Sequence, residues 1–234
     1  MKNILLVLFT LTSTICKAQA GESVYAFLNL PTSARQIALG GVPLTLSGDV
    51  DQPLWNPATI DREMQGKVSL NYTNYLSGIN LGSMAFTTRL HEKLGLFHAG
   101  IQYLDYGELT RADEIGNVLG TFKAYDLALS MGYAHALKTI DLQMGVNAKL
   151  INSRIDTYSS FGVSFDLAFL YRDTKSPLKI SLVLRNMGTQ ITTFDRTKES
   201  LPFRILLGAS SRFRNSHRRR VRWRRNACHH FWFG

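Results

Sequence analysis

The chain has almost no cysteine. Of its 234 residues only Cys16 and Cys228 are cysteines, and they lie close to the two ends. The long stretch between them therefore has no thiol that could form a disulfide, bind a metal or attack a substrate. This excludes a disulfide-stapled secreted domain and a cysteine-dependent enzyme.

Motifs for catalysis and metal binding are also missing. The body of the chain, residues 21–211, contains three histidines. His91 lies in a turn sequence, and His98 and His135 have no nearby His, Asp or Cys at ligand spacing. No Gly-x-Ser-x-Gly motif is present, and the acidic stretch from Asp105 to Glu114 lacks the spacing of a calcium loop. We therefore expect a protein that is not an enzyme and has no cofactor and no metal site.

Long apolar runs are absent after the first 20 residues, which excludes a membrane helix in the body. The chain begins with Met1-Lys2-Asn3 and the apolar run Ile4–Leu11, and Ala18-Gln19-Ala20 has the small-x-small pattern of a cleavage site. The run is too short to span a bilayer. We interpret residues 1–20 as a signal peptide, so the protein is exported.

Excess charge is missing from the body, although the whole chain has a formal charge of +10. Two lysines lie in the first 20 residues and eight arginines lie in Arg212–Arg225, which leaves 17 basic and 17 acidic residues between them. The basic tail resembles an RNA-binding arm, but an exported chain does not meet RNA. We expect no nucleic-acid partner.

A strict two-residue alternation is present from Ile140 to Leu150. Every even position is apolar, and every odd position from Asp141 to Lys149 is polar, charged or glycine. A side-chain period of two indicates an extended strand with one apolar and one polar face. The alternation is long enough for a tilted strand that crosses a membrane.

Similar alternation recurs along the chain. We count eight strand-like runs: Val68–Leu76, Asn80–Leu90, Leu94–Leu104, Phe122–Ala136, Thr139–Asn152, Phe161–Tyr171, Leu178–Asn186 and Phe203–Ser210. Their apolar faces include the odd positions 97–103, 125–133 and 161–171 and the even positions 178–184, with aromatic residues near several ends. The pattern predicts an all-β, antiparallel transmembrane barrel, with a soluble β-sandwich as the alternative.

The connections between the runs alternate in predicted length. Those after the second, fourth and sixth runs are short, whereas Asp105–Thr121, Ser153–Ser160 and Met187–Pro202 read as long loops. Short periplasmic turns and long external loops are typical of outer-membrane barrels. This parity places the N-terminal segment, residues 21–66, on the periplasmic side, where a plug must start.

The N-terminal segment does not alternate and is predicted to plug the barrel, with an irregular lead-in to the first strand as the alternative. Ser33 can cap one helical turn that ends at Gly40-Gly41, and Leu54, Trp55 and Ile37 need burial. Charged residues on the predicted lumen faces should pair with one another or with this plug, rather than line a path. These residues are Arg89, Asp126, Asp141, Lys149, Asp166, Lys179 and Arg185.

Two motifs in the segment carry a resemblance to a known family. They are Ser33-Ala34-Arg35-Gln36-Ile37-Ala38-Leu39-Gly40-Gly41 and Asn56-Pro57-Ala58. With Val68–Leu76 and Leu201–Ser210, they resemble the fatty-acid-transporter-like (FadL-like) outer-membrane barrels of Bacteroidetes, and among these the PorQ family of the type IX secretion system. The likeness covers about residues 21–211 and marks Ala34, Arg35, Ala38, Leu39, Gly40, Gly41, Asn56, Pro57 and Ala58 as family-motif residues.

The resemblance implies a function as well as a fold. It implies an outer-membrane barrel with an N-terminal plug that anchors the cell-surface attachment complex, with PorZ, PorU and PorV as partners, in contact with outer-membrane lipid and lipopolysaccharide. The wider family also supports the alternative of a diffusion channel for hydrophobic small molecules.

The C-terminal residues 212–234 do not fit the resemblance. Alternation stops within a strand, and Arg218-Arg219-Arg220 would put charge on both faces. We expect this tail to reflect a shifted or truncated reading frame. Residues 67–211 would then form part of a barrel, an open sheet with an unpaired edge at Phe203–Ser210.

Overall fold

The computed structural model describes residues 23–89, 95–173 and 177–212, and the backbone of residues 228–233. Within these residues the chain forms one antiparallel sheet of nine strands, each paired with the strand that follows it in sequence. The strands are β1 Val68–Asn74, β2 Asn80–Thr88, β3 Leu96–Ala112, β4 Val118–Leu137, β5 Leu142–Ile155, β6 Tyr158–Arg172, β7 Leu178–Thr192, β8 Arg204–Arg212 and β9 Cys228–Phe233. The predicted all-β antiparallel architecture is confirmed.

The two faces of the sheet differ as the alternation predicts. In β4 the even positions from Ala124 to Ala134 are buried, and the odd positions between them are partly or fully exposed. The exposed side chains are apolar, with Met131 at 75% and Val146 of β5 at 48% of full exposure. The sheet therefore has an apolar outer face and an inner face that is covered by protein.

Two aromatic pairs bound the apolar outer face across β3 and β4. The rings of Phe97 and Tyr133 are 5.1 Å apart, and those of Tyr103 and Tyr125 are 5.9 Å apart. Tyr103 lies six positions after Phe97 in β3, or about 20 Å along the extended chain. Aliphatic side chains lie between the pairs, which is the pattern of a membrane-facing band with aromatic residues at both borders.

The sheet is open. β1 and β9 lie at opposite ends of the strand order and, in the part of the chain that the structure describes, do not pair with each other. This agrees with an incomplete barrel. The predicted free edge at Phe203–Ser210 is wrong for its second half, because Leu207–Arg212 pairs with β9. The β9 sequence, Cys-His-His-Phe-Trp-Phe, is rich in the aromatic residues that strands favour; residues 213–227 lie outside the described residues.

Two of the three predicted long loops are strands instead. β3 continues to Ala112 and β4 begins at Val118, so the connection is a five-residue turn. β5 and β6 pair up to Ile155 and Tyr158, and only Asp156 and Thr157 separate them. Asp156 has a φ of +56°, a conformation that aspartate tolerates in tight turns. Of the three predicted long loops, only the connection between β7 and β8 is long, since β7 ends at Thr192 and β8 begins at Arg204.

The N-terminal segment is irregular. It contains one short helix, α1 (Ala34–Ala38), and 3-10 turns at Ala26–Asn29, Gln52–Leu54, Pro57–Thr59 and Arg62–Met64. The Ser33 Oγ accepts a hydrogen bond from the Gln36 N–H, and Gly40 and Gly41 end the helix with φ values of 88° and 87°. These contacts confirm the predicted capped turn. Glycine ends the helix because only glycine adopts a positive φ freely.

The core lies between this segment and the inner face. Trp55 and Leu54 are buried as predicted, whereas Ile37 is 44% exposed and that prediction is wrong. The helix instead buries Gln36, whose amide oxygen accepts a hydrogen bond from the Thr32 N–H. Phe27 and Leu28 pack on β2–β5, and Trp55 and Ala58 pack on β6–β8.

The segment runs from one end of the sheet to the other. Ser23 pairs with Ser200 in the β7–β8 connection, and Lys67 leads directly into β1 at the opposite end. The segment therefore crosses the inner face of the sheet, and the periplasmic start of the plug stays a prediction. None of the described helices is long and apolar enough to cross a membrane.

Candidate functional site beneath the N-terminal segment

Asn56, from the second family motif, links the segment to the sheet. Its side chain is fully buried. The amide nitrogen donates to the Leu44 carbonyl at 2.6 Å and to the Ser181 Oγ of β7 at 2.7 Å, and the amide oxygen accepts from the Ala58 N–H at 3.0 Å. An amide is suited to this position because it can donate and accept at once.

Pro57 and Ala58 lie directly on Gly145, an inner-face residue of β5. A Cβ atom at Gly145 would overlap the backbone atoms of both residues. Gly100 and Gly162 play similar parts, since a Cβ there would lie 2.6 Å from Leu54 and 2.6 Å from Tyr25. Absent side chains on the inner face thus provide the space for the segment.

Arg185 of β7 holds the middle of the segment. Its side chain is 2% exposed, and its guanidinium carbon lies 3.8 Å from the centroid of the Trp55 ring. One guanidinium nitrogen donates to the carbonyls of Leu28 and Leu54 at 3.1 and 3.4 Å. An aromatic face and backbone dipoles of the segment therefore compensate the buried cation in part, since its Nε and Nη1 atoms have no hydrogen-bond partner among the described residues.

A second cation is buried beside it. The Nζ atom of Lys149 lies 2.7 Å from Asp166 and donates to the Asn186 side-chain oxygen at 2.9 Å. The Asn186 N–H donates to Asp166 at 2.9 Å, and the Asn147 amide donates to the Pro53 carbonyl at 2.7 Å. The ion pair is thus joined through neighbouring amides to the segment, which is how buried charge is tolerated.

Most of the charged residues predicted on the lumen faces do pair as expected. Lys179 donates to the Ser47 Oγ of the segment at 2.7 Å. Asp126 departs from the prediction, because it accepts from the Tyr106 hydroxyl of β3 at 2.7 Å and from the Ser153 hydroxyl of β5. Arg89 and Asp141 lie outside the strands, after β2 and before β5 respectively. The interior charges therefore serve packing rather than a continuous charged path.

The first family motif borders a cleft next to β1. Ala34 and Arg35, with Asp49, Asp51 and Ser69, line a cleft of about 540 Å³. The guanidinium of Arg35 lies 3.5 Å from Asp49. Burial raises the pKa of the Asp51 carboxyl above its usual range, although it accepts hydrogen bonds from the Ser69 hydroxyl and the Asn71 amide.

The two motifs thus have different surroundings. Ala34, Arg35, Ala38 and Gly40 are exposed, with Leu39 and Gly41 half-buried, whereas Asn56, Pro57 and Ala58 are buried against the sheet. Sequence reasoning missed the partners of the buried motif, Gly145 and Ser181. Their only signal was that glycine and serine occupy inner-face positions of the alternating strands.

The sequence is similar to a known protein family over most of its length. A family model described as Type IX secretion system protein PorV matches residues 17–221. The chain belongs to this family. The match includes the whole described part of the N-terminal segment and strands β1–β8, so Asn56, Gly145 and Arg185 all lie within it.

Membership establishes the chain as a component of the type IX secretion system at the level of the PorV family. No curated protein matches the chain. Among the described residues no group of three or more His, Cys, Asp or Glu side chains could hold a metal ion.

Proposed function

We propose that this protein is a non-enzymatic outer-membrane component of the type IX secretion system that anchors the cell-surface attachment complex. Within the PorV family, the motif residues Ala34–Gly41 and the strand sequences Val68–Leu76 and Leu201–Ser210 favour a PorQ-like role. In that role the protein retains PorZ at the surface, together with PorU and PorV.

An outer-membrane location is supported by the apolar outer face. Exposed Leu129, Met131 and Val146 would be unfavourable in water, and they lie on the face bordered by the aromatic pairs. Burying such a surface in lipid removes the large exposed apolar patch.

The observation that carries an anchoring role, rather than transport, is the seating of Asn56-Pro57-Ala58 on the inner face. The backbone of Pro57 and Ala58 occupies the space over Gly145, and Asn56 and Arg185 fasten the segment on both sides. A diffusion channel needs an open passage along the inner face. A segment held by buried hydrogen bonds and a cation–π contact leaves the outer loops as the part that can act on partners.

Deleting the complete gene tests the proposal. We expect loss of PorZ from the cell surface and release of secreted cargo into the medium, with fatty-acid uptake unchanged. Complementation with the intact gene should restore both. Retention of PorZ and of cell-bound cargo in the deletion strain would contradict the anchoring role, and a selective loss of fatty-acid uptake would favour the channel.

A further inference from the structure

The apolar outer face contains a groove over β2. Gly82 of β2 lies between Tyr72 of β1 and Tyr103 of β3, which are its direct cross-strand partners. Apart from its own chain neighbours, no atom lies within 4 Å of the position of a Cβ atom at Gly82, so the space between the two tyrosines stays open. This space is a groove of about 330 Å³, called the Gly82 groove below.

Apolar side chains form the walls of the Gly82 groove. Leu70, Met84 and Ile101 pair with one another across β1, β2 and β3, one row away from Gly82, and all three are exposed. The groove lies over β2, whose neighbours β1 and β3 are both in place. Its shape therefore does not depend on what lies beside the free edge of β1.

The opposite end of the groove is polar. There Asn74, Asn80 and Asp105 pair with one another across the same three strands. The Asn80 Oδ1 accepts from the Tyr72 hydroxyl and from the Asn74 amide, each at 2.7 Å, which fixes the Tyr72 hydroxyl at this end. One carboxylate oxygen of Asp105 accepts from the Gly107 N–H at 3.0 Å, and among the described residues its other oxygen accepts no hydrogen bond.

The position of the groove identifies a membrane lipid as its occupant. The groove lies in the apolar band, and Tyr103 itself belongs to one of the two aromatic pairs that border the band. The medium on this face is therefore lipid, and an unfilled groove would lose the van der Waals contacts of its walls. A volume of about 330 Å³ is at the lower end of the range for small-molecule sites, which suits one acyl chain.

The charge at the polar end selects the head group of this lipid. Asn74, Asn80 and the Tyr72 hydroxyl are uncharged, and Asp105 is acidic, so this row has no cation for a phosphate group. A head group that carries an ammonium, as in phosphatidylethanolamine, can donate to the free oxygen of Asp105. The anionic head group of phosphatidylglycerol would instead be repelled by this carboxylate.

We propose that the Gly82 groove binds one acyl chain of a lipid of the phosphatidylethanolamine type, with the ammonium group at Asp105. The chain would lie over Gly82, between the rings of Tyr72 and Tyr103, and contact Leu70, Met84 and Ile101. This inference goes beyond the proposed function. It needs the membrane location of the sheet, but it does not need the anchoring role.

Photo-crosslinking tests whether the groove holds a chain. The full chain is placed in phosphatidylglycerol nanodiscs that contain a small fraction of phosphatidylethanolamine with a diazirine in its acyl chain, and labelled peptides are identified by mass spectrometry. We expect label on β1–β3 in wild type, and about tenfold less label there in Gly82→Leu, whose side chain fills the groove. Ala148→Leu is the matched control, because it adds similar bulk on the outer face of β5, between Met131 and Phe165, and should label as wild type does.

Asp105→Asn tests the head group in the same nanodiscs. Wild type should take about fivefold more label on β1–β3 from diazirine-labelled phosphatidylethanolamine than from equally labelled phosphatidylglycerol, and Asp105→Asn should take equal label from both.

Four outcomes would contradict the proposal. Equal label on β1–β3 in wild type and Gly82→Leu, or label spread evenly over the outer face, would overturn the groove. Equal label of wild type by the two lipids would overturn the role of Asp105. Absence of label from every outer-face peptide would overturn the membrane location as well, and a dimer cross-linked through β1–β3 in place of the lipid would assign the groove to a second copy of the chain.

Discussion

Gly145 shows at the scale of one residue how the sheet accommodates the N-terminal segment. It occupies an inner-face position at which the backbone of Pro57 and Ala58 fills the space that a side chain would need. Gly82, on the outer face of β2, has open space around the position of a Cβ atom. The same residue type therefore serves close packing at one position and has no such role at the other.

We predict that Gly145→Ala destabilises the protein and Gly82→Ala does not. The new methyl group at position 145 would displace the segment, at a cost of about 1–3 kcal/mol in the free energy of unfolding. Urea unfolding in lipid vesicles measures both variants. Equal stability of the two would show that the segment does not rest on Gly145.

Lys149 and Asp166 illustrate how two buried charges depend on each other. Lys149→Met leaves the Asp166 carboxylate buried without its cation, and we expect a loss of about 3–5 kcal/mol in the free energy of unfolding. The double variant Lys149→Met, Asp166→Asn should lose much less, because the neutral amide still accepts from Asn186. A double-mutant cycle checks this coupling, and additive losses would contradict it.

Asp51 makes stability depend on pH. Because burial raises the pKa of its carboxyl in the folded protein, the unfolded chain releases this proton first as the pH rises. The contribution of Asp51 to stability is therefore largest when it is protonated, and falls as the pH rises from about 3.8 through the raised value.

Asp51→Asn should remove this part of the pH dependence. Unfolding free energies of wild type and variant, measured from about pH 3 to 7, should differ in slope within that window. A wild-type curve that rises more steeply with pH than the variant's curve would contradict the assigned direction.

At the scale of the element, β4 tests the alternation most simply. Met131 is 75% exposed on the outer face, and its neighbour Ser130 is 5% exposed on the inner face. Cysteine at position 131 should react with a lipid-soluble reagent and resist a water-soluble one, whereas cysteine at position 130 should resist both. Equal labelling of the two positions would exclude the two-faced strand.

The outer part of the β3–β4 hairpin shows what element-level prediction missed. Asp105–Thr121 contains Gly107, Gly116 and Gly120 and several charges, which suggested a loop. Cross-strand pairs such as Leu109 with Phe122 instead extend both strands, and Gly107 is absorbed at a register shift between Asp105 and Glu108. A bulge of this kind permits glycine within a strand.

For the whole molecule, the path of the segment and the position of the β3–β4 hairpin predict an asymmetric response to protease. Arg111 and Lys123 lie in the outer part of this hairpin, at one end of the strands, and Arg62 lies just before β1 at the other end. Trypsin added to intact cells should cut at Arg111 or Lys123 and leave Arg62 intact, because the membrane separates the ends. Peptide mass spectrometry identifies the cuts, and early cleavage after Arg62 would reverse the orientation.

The sequence by itself determined where β1–β8 occur and which way their side chains face, but not where each strand ends. A two-residue period requires that all apolar positions of a strand point the same way, so Ile140–Leu150 was sufficient to assign the outer face of β5. The capped helix at Ser33 and its glycine end also followed from local chemistry, because the interactions lie within a few residues of one another.

Only the tertiary structure decided what the inner face does. Asn56 and Ser181 are 125 residues apart, and Arg185 and Leu28 are 157 residues apart, so no local pattern connects them. The pairing of Leu207–Arg212 with β9 and the extension of β3 and β4 to Ala112 and Val118 likewise depend on neighbouring strands. Strand ends and buried polar partners are set by long-range hydrogen bonding and by the space that facing glycines leave, and both exist only after the chain has folded.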